Sequence, residues 1–227
     1  MFRRFSAGLC GWATFALLAA CAPQRPVPDA ADVLAARQAA LAFDSRMKLE
    51  ILDRLEREED PVAVYLAYRD HVSGWAKETG DKLGVDFSRT ALRTRNPANA
   101  PDEWESDQME LFEFSREAGV DPATMEVAEI VTEGKQKIFR WIRPLMMGEM
   151  CVACHGEEID ARLVTMLSQE YPLDDAVDYL ENDIGGAYSV RKVLNPTGPA
   201  AATAPAATPA PPPFSNPAPE PAPTAPQ

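Results

Sequence analysis

The chain has 227 residues, with 22 lysine and arginine residues against 35 aspartate and glutamate residues, so its formal net charge at pH 7 is −13. This charge argues against nucleic acid and anionic lipid headgroups as partners, because both are themselves negative. With only two histidines, no nucleophile–base set and no phosphate-cradling glycine loop in the sequence, we do not expect an enzyme.

Residues 1–20 have the pattern of a secretion signal. Arg3 and Arg4 supply its positive charge, and the apolar stretch Leu9–Ala20 is too short for a standing transmembrane helix. Small residues stand directly before Cys21, as in the bacterial lipobox, so we predict that Cys21 is diacylated and becomes the mature N-terminus. An ordinary signal peptide cleaved beside Cys21 is the alternative.

Two further segments lack the apolar pattern that a core requires. Residues 21–30 contain three prolines and indicate a tether, and residues 195–227, rich in Pro, Ala and Thr, indicate a disordered tail. Residues 31–194 remain as one domain of ordinary size. A lipid at Cys21 would hold this domain on the periplasmic side of a bacterial membrane, inner or outer.

The first half of the domain predicts helices. Ala31–Glu59 is rich in helix formers and repeats apolar residues four apart. A second helix is predicted over Pro61–Thr79, ending at Gly80. A polar loop over Arg89–Pro101 precedes a third helix, which has acidic residues in its first turn and runs to about Ala118.

The second half predicts strands. Met125–Thr132 and Lys137–Leu145 have strand patterns, and Glu133–Lys135 between them suits a hairpin turn. Ile159–Gln169 predicts a short helix, and Ala187–Leu194 a last strand. Helices followed by a hairpin and a returning strand indicate an α+β domain with an antiparallel sheet.

Cys151, Cys154 and His155 form a C-x-x-C-H run, which is the attachment signature of c-type haem. The two thiols add to the vinyl groups of one porphyrin, and the adjacent histidine binds the iron. One run predicts one covalent haem c, and haem attachment outside the cytoplasmic membrane agrees with the secretion signal. The alternatives are a zinc site, for which only His71 remains as a further ligand, a redox dithiol or a structural disulfide.

Three arginines of the polar loop, Arg89, Arg93 and Arg95, are candidates to bind the haem propionates. The planar guanidinium group matches the geometry of a carboxylate and can bond it through two N–H groups. The alternative is that these arginines bond loop carbonyls or nearby acidic side chains.

Four segments of the domain form a recognisable set: the loop Arg89–Glu105, the strand Phe139–Leu145, the run Cys151–Gly156 and the strand Gly185–Val190. Together they resemble a family of extracytoplasmic, c-type-haem-binding, PAS-like domains of bacteria, long catalogued as a domain of unknown function. The resemblance spans about residues 31–194. It implies a PAS-like antiparallel sheet with flanking N-terminal helices, one covalent haem, and a sensor or redox role without an assigned reaction.

The second axial ligand of the iron is left open. Family members often carry a cysteine in the second helix, and the matching position here is Tyr68. His71, one turn further on, is the first candidate, because two histidines often hold a low-spin electron-transfer haem. Tyr68 as a phenolate is an alternative, as are Met146, Met147 and Met150, since a methionine ligand would raise the redox potential. An open or water-bound iron is the remaining alternative.

The sequence therefore predicts a membrane-tethered monohaem protein that works as a redox or haem-based sensor. Its signal would leave through a separate redox or signalling partner. A periplasmic electron-transfer cytochrome is the alternative, and a haem-free structural lipoprotein is a more distant one.

Overall fold

The computed structural model describes residues 26–57 and 59–194. The predicted signal peptide, the predicted lipid site Cys21 and the tail at residues 195–227 lie outside the described residues. Within the described part, none of the helices combines the length and the apolar character needed to cross a membrane.

The described residues form five α-helices, four β-strands and two short 3-10 turns. In chain order they are α1 (Ala30–Glu56), α2 (Pro61–Leu83), β1 (Asp86–Thr90), a 3-10 turn (Pro97–Asn99), α3 (Glu103–Glu117), a second 3-10 turn (Pro122–Thr124), β2 (Val127–Glu133), β3 (Gln136–Met146), α4 (Glu149–His155), α5 (Ala161–Glu170) and β4 (Ile184–Val193).

The four strands make one antiparallel sheet in the order β1-β4-β3-β2. The last strand therefore lies in the middle, paired with β1 on one side and β3 on the other. The predicted hairpin is present: Glu133 pairs with Gln136, and Gly134 between them has a φ of +59°, which glycine adopts readily. The α+β fold class and its antiparallel sheet are confirmed.

Strand β3 is covered on both faces, which explains why its residues 138–142 are all buried. Phe139 and Trp141 point to the face covered by α1 and α2, where they join a core cluster that includes Phe43. Ile142 points to the opposite face and packs with Met109 of α3. Because successive side chains of a strand alternate between faces, an apolar run of this kind is expected for a strand between two helical layers.

Arg140 lies on the α3 face of β3 and is only 4% exposed. Its guanidinium forms ion pairs with Asp102 at 2.6 Å and Glu105 at 3.3 Å, and it lies over the ring of Trp104. Asp102 also caps α3 in a reciprocal capping box with Glu105. The end of the segment Arg89–Glu105, one of the four family segments, thus holds the start of α3 against the sheet.

Most boundaries differ from the sequence prediction by one to three residues, as at α1, which ends at Glu56, and β4, which begins at Ile184. Two of the differences have a clear structural reason. Helix α2 continues through Gly80 to Leu83 and ends at Gly84, whose φ is +67°. Gly80 does not end the helix; its role is to leave space. A Cβ there would lie 2.5 Å from the carbonyl oxygen of Val85, so the glycine allows the chain leading into β1 to pass close to the helix. The predicted polar loop also begins too early, since Arg89 belongs to the short edge strand β1.

Candidate functional site

A cavity of about 590 Å³ lies between α2, α4 and the ends of the central strands. Its size falls in the range of roughly 300–1,000 Å³ that is typical of ligand sites. Its walls come from α1 and α2, from β1 and the loop that follows it, from α4, and from the segment after α5. Elements from both halves of the sequence therefore meet around one volume.

Helix α4 presents the C-x-x-C-H run to this cavity. Cys151 and Cys154 are free thiols, both partly buried, and they line the cavity together with His155. A spacing of three residues places the two thiols on the same helical face. Gly156 ends the helix, and a Cβ there would lie 2.7 Å from the carbonyl oxygen of Val152, so the close approach of the chain requires glycine.

The imidazole of His155 is oriented by a hydrogen bond. Its Nδ1 lies 2.7 Å from the carbonyl oxygen of Ala176, and since a carbonyl can only accept, Nδ1 carries the proton. Burial, with a contribution from the positive charge of Arg95, lowers the pKa of His155 to about 4, so the ring is neutral at pH 7. A neutral imidazole protonated at Nδ1 has its free lone pair on Nε2, as an iron ligand requires.

The zinc and disulfide alternatives have less support in the geometry. Among the described residues, no group of three or more His, Cys, Asp or Glu side chains is placed to hold a metal ion. Cys151 and Cys154 are not joined to each other. Burial raises the pKa of the Cys154 thiol, so this thiol is protonated at neutral pH.

Arg93 lines the cavity but bonds the segment after α5. Its Nε donates to the carbonyl oxygen of Asp175 at 3.0 Å, and an Nη donates to the carbonyl oxygen of Val177. The guanidinium also lies 4.3 Å from the ring centre of Tyr179. These contacts match the alternative in which the loop arginines bond local carbonyls.

Arg95 is buried more deeply, with a side chain that is 9% exposed. Its Nε pairs with Asp174 at 2.7 Å, and its Nη2 donates to the carbonyl oxygens of Cys154 at 2.7 Å and Ala176 at 3.3 Å. Arg95 therefore lies beneath α4 and joins the haem-motif helix to the segment after α5, although it also lines the cavity.

Arg89 makes a different set of contacts. It donates to the hydroxyl oxygen of Tyr68, and its guanidinium lies 5.5 Å from the ring centre of Phe43 and 5.6 Å from that of Tyr68. None of these partners carries a negative charge. Of the three predicted propionate ligands, Arg89 is therefore the one whose described contacts leave its charge available to an anion in the cavity.

Tyr68 faces the cavity, and its hydroxyl also lies 3.6 Å from the sulfur of Met47. Burial raises the pKa of Tyr68 above its usual value, and the charge of Arg89 opposes this effect only in part. The hydroxyl is therefore neutral at pH 7 in the absence of a bound group.

His71 lies outside this cavity. Its side chain is exposed, its ring stacks on Trp75 with a centroid distance of 6.0 Å, and its Nδ1 lies 2.6 Å from the carbonyl oxygen of Ala67. The cavity-facing stripe of α2 runs through Val64 and Tyr68 instead. The structure thus does not bring the first candidate for the second axial ligand to the site.

The three candidate methionines do not all face the cavity. Met147 and Met150 line the cavity, and Met147 is 5% exposed. Met146 points to the other side of the sheet, where it packs on the core cluster that includes Met109 and Ile142. Because Met146 is the last residue of β3, the alternation of the strand turns it away from its neighbour Met147.

One wall of the cavity was not predicted. Arg69 pairs with Glu170 at 3.0 Å, and Tyr65 and Tyr171 line the cavity together with this pair. Burial raises the pKa of Tyr65. Arg69 and Glu170 are 101 positions apart in the sequence, so no local spacing could have indicated this polar wall.

These features define an α+β domain with N-terminal helices, a four-stranded antiparallel sheet and a cavity beside a C-x-x-C-H helix. The chain belongs to the Tll0287-like family, whose family model matches residues 32–192. This match confirms the family resemblance predicted from the four sequence segments.

Among solved structures, the crystal structure of the cyanobacterial haem protein Tll0287 is similar to this chain. The TM-score is 0.56 and the identity 19%, over 75% of this chain and 100% of that chain. At this identity the likeness shows the shared fold. No curated protein matches the chain.

Proposed function

We propose that the cavity holds one covalent haem c, bound through Cys151 and Cys154, with His155 as an iron ligand. The observation that carries the proposal is that two free thiols on one helical face and a neutral imidazole with its Nε2 free line the same cavity. The description of the related Tll0287 as a haem protein supports the same assignment.

The residues of the chain divide the work of holding this group. Helix α4 places the thiols and the imidazole, Ala176 fixes the ring of His155, and Arg89 offers a cation to a propionate. Apolar side chains of α1 and β3, such as Ile51 and Leu145, exclude water from the opposite wall. When bound, the haem supplies reversible one-electron chemistry or a place for a small ligand.

We further propose that the domain is a redox or haem-based sensor and not an enzyme. It would be held on the periplasmic side of a membrane through Cys21 and would pass its state to a separate redox or signalling protein. The PAS-like fold supports this role, because such domains couple a bound group to a partner. The net charge of −13 favours a partner with a basic surface.

A periplasmic electron carrier is the second candidate, and one observation favours it. Met147 and Met150 both line the cavity, and methionine ligation is typical of electron-transfer cytochromes c. A filled sixth position would leave no place for an external ligand.

The first experiment is the absorption spectrum of the full chain expressed with a haem-attachment system, together with its intact mass. We expect a Soret band and a mass increased by one haem. The Cys151→Ala/Cys154→Ala double variant should lose the covalent haem, and Met146→Leu, which alters a side chain outside the cavity, should keep it. A wild-type chain with the mass of the lipidated polypeptide alone would overturn the proposal.

Carbon monoxide distinguishes a sensor that binds a small ligand from an electron carrier or a redox sensor. A dithionite-reduced spectrum that shifts on adding carbon monoxide means an open or labile iron position and favours the sensor. A spectrum that does not move means that both axial positions are filled by the protein, which favours electron transfer or redox sensing.

A further inference from the structure

The backbone N–H and carbonyl groups of Ala176 are both bonded by side chains that are largely buried. Its carbonyl oxygen accepts from Nδ1 of His155 at 2.7 Å and from Nη2 of Arg95 at 3.3 Å. Its N–H donates to Oδ1 of Asp174 at 3.0 Å, and the other oxygen of Asp174 pairs with Nε of Arg95 at 2.7 Å. The same Arg95 also bonds the carbonyl oxygen of Cys154 at 2.7 Å. One guanidinium thus connects the haem-motif helix to the carbonyl that orients its histidine.

This arrangement is sheltered from solvent. The side chains of Arg95 and Asp174 are 9% and 11% exposed, so their interaction is screened far less than that of a surface pair. The two residues come from segments 79 positions apart. The backbone reinforces the connection, because the N–H of Asp175 donates to the carbonyl oxygen of Thr94.

We propose that Arg95, with Asp174, is a positioning residue that acts on the iron through His155. It holds the Ala176 carbonyl at the distance that gives His155 a strong Nδ1–H hydrogen bond. This inference rests on the proposed function, in which His155 binds haem iron. A strong bond to the second nitrogen makes the imidazole a better electron donor, which favours ferric iron and lowers the reduction potential.

The chain supplies a matched control in Arg93. Arg93 also lines the cavity and also donates to carbonyls of the segment after α5, namely those of Asp175 and Val177. It does not bond the intervening Ala176 carbonyl that carries His155. Arg95→Lys and Arg93→Lys each keep the positive charge and remove the planar guanidinium, so they differ in which carbonyl is released.

The experiment is a redox titration of haem-loaded wild type, Arg95→Lys and Arg93→Lys. We expect Arg95→Lys to raise the ferrous-to-ferric ratio at fixed potential roughly threefold, which is about 30 mV for a one-electron couple. In the ferrous state, the Nδ1 proton of His155 should exchange with deuterated water faster in Arg95→Lys than in wild type. Arg93→Lys should change both quantities much less than Arg95→Lys, because Arg93 bonds the neighbouring carbonyls and not that of Ala176. Equal potentials in all three proteins, or equal shifts in both variants, would overturn the inference.

If Arg95→Lys binds too little haem to be titrated, a second pair of variants tests the same inference. Asp174→Asn keeps an oxygen for the Ala176 N–H but loses the ion pair with Arg95, and Asp175→Asn removes an equal charge from the exposed neighbour. We expect a larger rise in potential for Asp174→Asn, and an equal rise would contradict the positioning role. Failure of the proposed function is distinguishable, because wild type itself would then lack covalent haem.

Discussion

At the scale of single residues, the open question is which side chain of α2 meets the haem. Tyr68 faces the cavity and bonds Arg89, whereas His71 is exposed and stacked on Trp75. We expect Tyr68→Phe to change the ferric absorption and electron paramagnetic resonance spectra, because it removes a hydroxyl that lines the cavity and accepts from Arg89. His71→Ala should leave both spectra unchanged.

The opposite pattern would restore His71 as the second ligand. It would require α2 to rotate about its axis near His71 when haem binds, because the imidazole now lies on the solvent-exposed side of the helix. Hydrogen exchange across α2 would then differ between the haem-free and haem-loaded proteins at His71 itself.

The same residues show how far sequence reasoning reaches at a site. Cys151, Cys154 and His155 were predictable because their chemistry depends on spacing within one turn. Tyr68 and His71 were not separable, since steps of three and four residues place both near one helical face. The contacts of α2 with α1, β1 and α5 decide which of them faces inwards, and α5 comes from a distant part of the chain.

At the scale of one element, α2 contains two glycines that should respond oppositely to alanine. Gly80→Ala brings a Cβ within 2.5 Å of the Val85 carbonyl, so we expect it to lower the free energy of unfolding by roughly 1–3 kcal/mol. A Cβ at Gly74 meets no atom within 4 Å, so Gly74→Ala should raise that free energy by roughly 0.5–1 kcal/mol.

Urea unfolding followed by circular dichroism measures both changes. Gly74→Ala serves as the control for helix propensity, because both glycines lie in the interior of α2. If both variants were stabilised, the approach of β1 to α2 would be looser than the structure shows.

The elements that sequence reasoning located have strong local signals. Helix α3 has its acidic first turn and capping box, and the β2–β3 hairpin has its glycine turn. Strand β1 and helix α4 were missed because they have five and seven residues, too few to establish an apolar period. Asp86–Thr90 form β1 because they pair with β4, which comes much later in the sequence. The local sequence of β1 alone therefore does not predict a strand.

At the scale of the whole molecule, surface ion pairs should make the free energy of unfolding decrease at low pH. Hydrogen bonds from Lys82 and Arg46 lower the pKa of Glu78 to about 2, and Arg37 lowers the pKa of Glu126. Carboxylates whose folded pKa is depressed add stability above their unfolded pKa, near 4.3, and lose it as the pH falls through the folded value.

We therefore expect the contribution of these ion pairs to the urea midpoint to be flat between about pH 7 and 5 and to fall between about pH 4.5 and 2. His155 is buried and neutral with a pKa of about 4, so its protonation on unfolding lowers the midpoint separately below about pH 6.5. These pairs are exposed, so about 0.5 M salt should reduce the fall. If salt did not alter the fall between about pH 4.5 and 2, other groups would be responsible for that loss of stability.

Bound haem should also change the local unfolding of the domain, because it would contact segments around the cavity that are otherwise weakly connected. Helix α4 has only seven residues and cannot be stable alone, whereas the sheet has a buried strand pair at its centre. A group that binds only the folded state stabilises it, and the effect is greatest where local opening would release that group. We expect hydrogen exchange in haem-loaded protein to slow roughly tenfold or more in α4 and residues 171–183.

The comparison is with the same chain expressed without haem attachment, and exchange is followed by mass spectrometry. Strand β2 and helix α3 supply the internal control, since no residue of either lines the cavity, and their exchange should change little. Equal slowing everywhere would mean that haem stabilises the domain as a single cooperative unit. Slowing confined to the hairpin would place the haem elsewhere. With the expected pattern, α4 and the segment held by Arg95 would be the part of the fold whose local stability depends most on haem occupancy.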